Sequence, residues 1–269
     1  MPYETILLER DSTDKFAILT LNRPERLNAM NKTTIREIAA AAKECSEDPE
    51  INALLIRGAG RAFSSGYDLG GGDFDVDVDF WRDDMKENAE AWLELWNASI
   101  PTVAAVHGYA LAGALELMMC CDLAIAASDA KFGEPEVRHN SGPPTLMMPW
   151  LLPTRDVRYL MYTGDLVSAD EALRMHLVNK VVAPDQLEAE SLKLVRKLAR
   201  MPTPAIRYAK YSINQQQMLA GLGNSFTYNI ESMAALHTTK AGREWMAKLA
   251  KMSLKEYLTV RDAPFKDLE

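Results

Sequence analysis

Apolar positions in the first half of the chain fall into short β-branched runs broken by turn residues, whereas beyond about residue 145 they recur mostly at helical intervals. Residues 6–9 and 16–21 predict two short strands joined by the turn Asp11-Ser-Thr-Asp14. After Leu27-Asn-Ala-Met30, the residues Ile35, Ile38, Ala39 and Ala42 keep helical spacing until Ser46-Glu-Asp-Pro49 ends it. A leucine- and isoleucine-rich strand is predicted at 51–56, so strand, helix and strand follow one another as a parallel crossover unit. Residues 99–107 predict a buried strand entered through Pro101, 108–113 a turn, 114–121 a helix and 123–127 another strand. Downstream, Ser168-Ala-Asp-Glu171 is a capping box, 177–182 a short extended segment, and 186–200 and 204–219 are helices. Charged helical segments then run to about residue 256, and no internal repeat is present.

One residue breaks this pattern. Glu116 lies in the run from Gly108 to Asp122, which is otherwise almost wholly apolar. A carboxylate there loses hydration worth several kcal/mol, so it needs a partner, a raised pKa or a chemical task. A strand, a glycine-containing turn and a helix start also bring free backbone N–H groups to one point, where a developing anion can sit. A salt-bridged or capping glutamate in ordinary helix–sheet packing explains the stretch equally well. The polar, proline-rich connector 132–144 carries a second candidate carboxylate, Glu136.

Composition narrows the partners. The chain has 269 residues, 48% hydrophobic and 25% charged, with a net charge of −8. That charge argues against general nucleic-acid or anionic-membrane surfaces, which recruit concentrated Lys and Arg. The three cysteines lack metal-type spacing and read as reduced core residues, no stretch has the length or flanks of a signal or membrane span, and a soluble, cytoplasmic protein is expected. Gly58-Ala-Gly60 has Phe63 where a dinucleotide fingerprint needs its third glycine, and no nucleophile elbow surrounds Ser64 or Ser65. The alternating aspartates of 70–80 lack an EF-hand's glycine and distal glutamate and read as a solvated, mobile lid; a helix follows over about 85–96. No metal site is expected.

Three ordered segments resemble the enoyl-CoA hydratase/isomerase (crotonase) superfamily. They are Arg61-Ala-Phe-Ser-Ser-Gly-Tyr-Asp-Leu69, the glycine-containing turn and helix of 106–125, and Phe132-Gly-Glu-Pro-Glu136; residues 21–30, 163–172 and 264–267 add weaker support. The resemblance implies an α/β fold, a crotonase-like spiral of ββα units over 1–200, with a helical C-terminal region, 201–269, for trimerisation and pocket closure. It implies an acyl-CoA thioester substrate, no separate cofactor because coenzyme A is part of the substrate, and a homotrimer or dimer of trimers.

By position, the oxyanion hole would be the backbone N–H groups of Tyr67 and Gly113, and Glu116 and Glu136 the catalytic pair of a two-glutamate hydratase. Arg23, Arg26, Leu27, Ser65, Asp68 and Leu69, with Phe265 and Lys266 of a neighbouring subunit, would contact the CoA or substrate; Arg61 is a further loop cation. Ala112, His139, Pro143 and Pro144 are candidates for the acyl pocket. His107, at the end of a buried strand, reads instead as a hydrogen-bonded core histidine.

The chain also departs from the family pattern. Ala112-Gly113-Ala114 replaces a run of glycines, tolerable if only Gly113 needs unusual backbone, and Tyr67 is bulkier than the frequent alanine. Pro143-Pro144 stiffens the pocket wall and removes two amide donors, and His176 occupies a left-handed position usually held by glycine. Isomerisation, C–C cleavage or thioester hydrolysis through the same enolate are the enzymatic alternatives to hydration. A non-catalytic acyl-CoA binder is the alternative of another class.

Overall fold

The structure is a computed structural model that describes residues 3–70 and 76–268. Nine strands are described: β1 Ile6–Asp11, β2 Phe16–Leu21, β3 Ala53–Gly58, β4 Thr102–Val106, β5 Tyr109–Leu111, β6 Leu123–Ala127, β7 Lys131–Gly133, β8 Val167–Ser168 and β9 Lys180–Val182. The helices of the first half are α1 Lys32–Glu47, α2 Val78–Trp96 and α3 Gly113–Met119. After them come α4 Met148–Leu151, α5 Thr154–Thr163, α6 Ala169–Arg174, α7 Leu187–Ala199, α8 Thr203–Leu219, α9 Leu222–Thr238, α10 Lys240–Lys251 and α11 Leu254–Asp262.

The larger sheet has the order β1-β2-β3-β4-β6-β9. Only the β1–β2 hairpin is antiparallel, and the expected crossover through α1 pairs β2 with β3 in parallel. Its central strands are apolar on both faces because both are covered. Leu54, Ile56, Ala104 and Val106 pack in one cluster with α1, α2 and α3, while Leu55, Val103, Ala105 and Ile125 meet Leu187, Val195 and Ala199 of α7.

Local hydrogen bonds fix several element ends, the expected hairpin turn and capping box among them. Asp11 Oδ1 accepts the N–H groups of Thr13 and Asp14 in the hairpin turn, Asn31 caps α1 through the Thr34 N–H, and the Ser168–Glu171 capping box is present.

Three expectations are corrected. Residues 109–111 form a strand, not a turn, and β5 joins β7 and β8 in a second, three-stranded sheet; three residues are too few for an alternation signal. α2 begins at Val78, seven residues before the predicted start, because Asp77 accepts the Phe80 N–H as its N-cap and Asp79 lies in the first turn. The aspartates at 77 and 79 therefore start a helix; the rest of the proposed lid, 71–75, lies outside the described residues. Helix also continues past residue 256 to Asp262 in α11, then into a 3-10 turn at Ala263–Phe265.

Candidate active site

The site forms where β5 enters α3. Ala112 is the N-cap of α3, with φ 52° and ψ −128°, and its carbonyl accepts the N–H groups of Leu115 and Glu116. Gly113, by contrast, is the first helical residue, so the unusual backbone expected at Gly113 sits on Ala112. Glycine is needed at 113 for space: a Cβ there would lie 2.6 Å from the Tyr67 ring. Gly66, at φ 96°, supplies the matching close approach, since a Cβ there would lie 2.6 Å from the Leu111 carbonyl oxygen.

Tyr67 is held by its neighbours' backbone. The Met30 N–H donates to Gly66 and the Asp68 N–H donates to Met30, at 2.8 and 2.9 Å. Among the described residues neither the Tyr67 N–H nor the Gly113 N–H donates to an acceptor. Two backbone donors are thus unused at one place, and the helix start at Gly113 adds its positive dipole end. The Tyr67 hydroxyl accepts a 3.0 Å hydrogen bond from the Trp92 indole of α2, which fixes the ring over Gly113.

α3 turns Glu116 inward, where it is wholly buried. Its Oε2 accepts the Thr145 N–H at 2.7 Å, while its Oε1 is buried without a partner. Burial pushes its pKa up to about 8; the Thr145 N–H opposes that rise and the nearby Glu136 carboxyl adds to it.

Glu136 projects from a 3-10 helix, Pro135–His139, and is 7% exposed, with Oε2 also buried and unpartnered. Burial raises its pKa too, while the neighbouring Glu134 carboxyl, its own backbone N–H and the charge of Arg261 on α11 oppose that rise. The sequence candidates Glu116 and Glu136 are therefore brought together as interacting buried carboxyls, each with one oxygen free.

Pro143 and Pro144 are buried, and their carbonyls accept hydrogen bonds from the Asn229 side chain of α9 at 2.6 and 2.7 Å. They lack N–H donors themselves, but their fixed loop delivers the next donor, Thr145, to Glu116. His139 is buried, neutral because burial lowers its pKa to about 3, and packed beside Tyr257 and Trp245 at 5.5 and 6.3 Å between ring centroids.

The proposed CoA contacts divide. Arg23 donates to Asp68 Oδ2 at 2.8 Å and to the Ala29 carbonyl at 2.6 Å, tying its loop to the one that carries Tyr67. The Ser65 N–H donates to Leu27, which adopts φ 50°, and Leu69 is half-buried. Arg26, Arg61 and Lys266 are exposed, whereas Phe265 lies 4.3 Å beneath the guanidinium of Arg138 in the same chain. His107, expected as a hydrogen-bonded core histidine at a strand end, lies one residue past β4 and is only half-buried, with its ring bonded to the Gly60 carbonyl at 3.0 Å.

Residues 11–268 match the family model described as enoyl-CoA hydratase/isomerase. The chain belongs to that family. Crotonyl-CoA hydratase of Syntrophomonas wolfei is 34% identical over 91% of this chain and 95% of its own length, and a short-chain-enoyl-CoA hydratase of Clostridium acetobutylicum is 30% identical over 91% and 94%. Among solved structures, an enoyl-CoA hydratase/isomerase from Xanthobacter autotrophicus Py2 superposes with a TM-score of 0.91 at 32% identity, covering 98% of this chain and 99% of that one.

The expected crotonase fold, with a helical C-terminal region, is therefore present. Within this enoyl-CoA hydratase/isomerase chain, the residues that sequence reasoning left without a role are Thr145, Trp92, Arg261 and Glu134. The first three carry no local signal, because each reaches the site from a distant element. Glu134 was legible only as part of Phe132-Gly-Glu-Pro-Glu136, where a glutamate on either side of Pro135 follows a buried strand.

Proposed function

We propose that the protein is a hydro-lyase that adds water to a 2-enoyl-CoA thioester, or removes it from the 3-hydroxyacyl-CoA. The observation that carries this reading is the pair of interacting buried carboxyls, Glu116 and Glu136, each with a free oxygen, near two unused backbone N–H groups. The Tyr67 and Gly113 N–H groups would receive the thioester oxygen and stabilise it as negative charge develops, a contribution of about 3 to 4 kcal/mol per donor in acyl chemistry. One carboxylate takes a proton from water as its oxygen bonds to C3; the other, protonated, delivers a proton to C2. Two carboxyls in a dry site hold one proton between them, which suits this division of labour. The acid–base set and the amide donors lie in the chain itself, so the reaction asks for no separate cofactor.

CoA phosphates would meet local cations despite the net charge of −8, and exposed Arg26, Arg61 and Lys266 suit that role. Residues 201–269 would serve oligomerisation and pocket closure. Tyr208, Tyr211, Ile213, Leu219 and Tyr228 of α8 and α9 are exposed at 58% or more, which supports a homotrimer or a dimer of trimers, read from native mass as a multiple of three chains. Among the described residues no helix is long and apolar enough to cross a membrane, in keeping with a cytoplasmic enzyme.

Loss of the conjugated enoyl-thioester absorbance measures the reaction. Glu116→Gln and Glu136→Gln are each expected to lower kcat by about a hundredfold or more. If both stay within about twofold of wild type, the two-carboxylate mechanism is wrong. Mass analysis of the product separates hydration from isomerisation and from thioester hydrolysis.

A further inference from the structure

The loop between Glu136 and Thr145 joins one glutamate to the N–H that holds the other, and it is gripped from outside. Its two prolines, Pro143 and Pro144, are buried and have no N–H of their own, so their carbonyls need donors. Asn229 of α9 supplies both, its side-chain amide reaching the Pro143 and Pro144 carbonyls at 2.6 and 2.7 Å. Among the described residues no other hydrogen bond reaches residues 142–144.

α9 meets the rest of the loop with the same face. Asn229, Met233 and His237 are spaced four residues apart and so share one side of the helix. They take the loop in reverse order: Asn229 holds the prolines, Met233 stands at Gly142, where a Cβ would lie 3.4 Å from its Sδ, and the His237 Nε2 bonds to Ser141 Oγ at 3.0 Å. Ser141 in turn donates its N–H to the Glu136 carbonyl at 3.1 Å. One helix face therefore fixes both ends of the loop.

The Asn229 end bears directly on Glu116. The Pro144 carbonyl and the Thr145 N–H belong to one planar peptide group, so a donor that holds the oxygen also sets the direction of the N–H. That N–H donates to Glu116 Oε2 at 2.7 Å, and the Glu116 carboxyl accepts no other hydrogen bond among the described residues. Donation to the carbonyl polarises the peptide and strengthens donation by its N–H.

Resting on the hydratase reading, we propose that Asn229 is a positioning residue: across the Pro144–Thr145 peptide it aims the N–H that holds Glu116, so that a helix of the C-terminal region sets the geometry of the acid–base pair. Asn229 itself touches neither carboxyl nor substrate. Its effect on turnover must therefore pass through Glu116.

The test compares wild type with Asn229→Asp and Asn229→Leu, both close to asparagine in size. An ionised aspartate only accepts hydrogen bonds and a leucine makes none, so neither can hold the proline carbonyls. Each variant is expected to lower kcat about tenfold or more with KM within about twofold, because the acid–base group is misplaced while the binding surfaces stay. In a Glu116→Gln background, Asn229→Leu is expected to lower the residual rate by no more than about twofold. Near-wild-type kcat in both single variants overturns the proposal, and so does a further full tenfold loss in the Glu116→Gln background.

Hydrogen exchange at the Thr145 amide, followed by mass spectrometry, supplies a readout independent of turnover. Prolines 143 and 144 carry no amide hydrogen, so Thr145 is the one exchanging backbone position between Gly142 and Leu146. Its exchange is expected to be slow in wild type and at least about tenfold faster in both variants, with the helices elsewhere still protected. Unchanged exchange at Thr145 overturns the proposal even where kcat falls. A wild type whose Thr145 amide responds in this way but which leaves every enoyl-CoA unchanged would instead sink the hydratase reading and retain the link from Asn229 to Glu116.

Discussion

Glu116 illustrates how far a single residue can be read before its surroundings are known. Its apolar neighbours announce a desolvated carboxylate, and the structure confirms complete burial. Its partner could not be anticipated, because the Thr145 N–H arrives from 29 residues downstream. The raised pKa makes a stability prediction with a definite sign. A folded-state value of about 8 against an ordinary 4.5 means that the stability contributed by the neutral form is complete below pH 4.5 and lost as pH rises to about 8. Glu116→Gln never ionises and can still accept the Thr145 N–H. It is therefore expected to unfold at a higher temperature than wild type at pH 8 and at nearly the same temperature at pH 4.5, as read by thermal melts. Higher stability with lost activity would mark Glu116 as strained for function; equal melts at both pH values would refute its raised pKa. His176 is legible in the same way: the sequence places it at a left-handed position, and its φ is 63°.

The short elements are where sequence reading reaches its limit. Residues 123–127 and 16–21 are long enough for burial to write a pattern, and both strands occur as expected. β5 has three residues and is recognisable only through its pairing with β7, while the helix start at Asp77 is disguised by the aspartates around it. The junction of β5 and α3 shows the same limit at finer grain. A glycine can be required by backbone conformation or by crowding, and only the second applies at 113, where the Tyr67 ring stands against it. Gly113→Ala is accordingly expected to push the ring aside and misplace both amide donors, lowering kcat by about a hundredfold while leaving the far-ultraviolet circular dichroism unchanged. Retention of near-wild-type kcat would show that neither amide serves the reaction.

At the scale of the molecule, the resemblance carried by three segments anticipated a family fold that runs from residue 11 to 268, because the motifs occur in order at their family separations. What they could not convey is which residues of the last helices pack against the turn that bears Glu136. Arg138, in the turn that bears Glu136, bonds to Asp165, pairs with Asp262 of α11 and carries Phe265 on its face. From the same helix Tyr257 covers His139, and Arg261 acts on Glu136. A chain clipped after Met252 keeps both glutamates and both amide donors but loses Arg261, whose charge holds the Glu136 pKa down. Its first symptom should be a pH–rate profile whose acid limb has moved toward alkaline values, measured before any loss of secondary structure. In aged or partly digested preparations, a drift in pH optimum would then report proteolysis at the tail, far along the chain from the residues that do the chemistry.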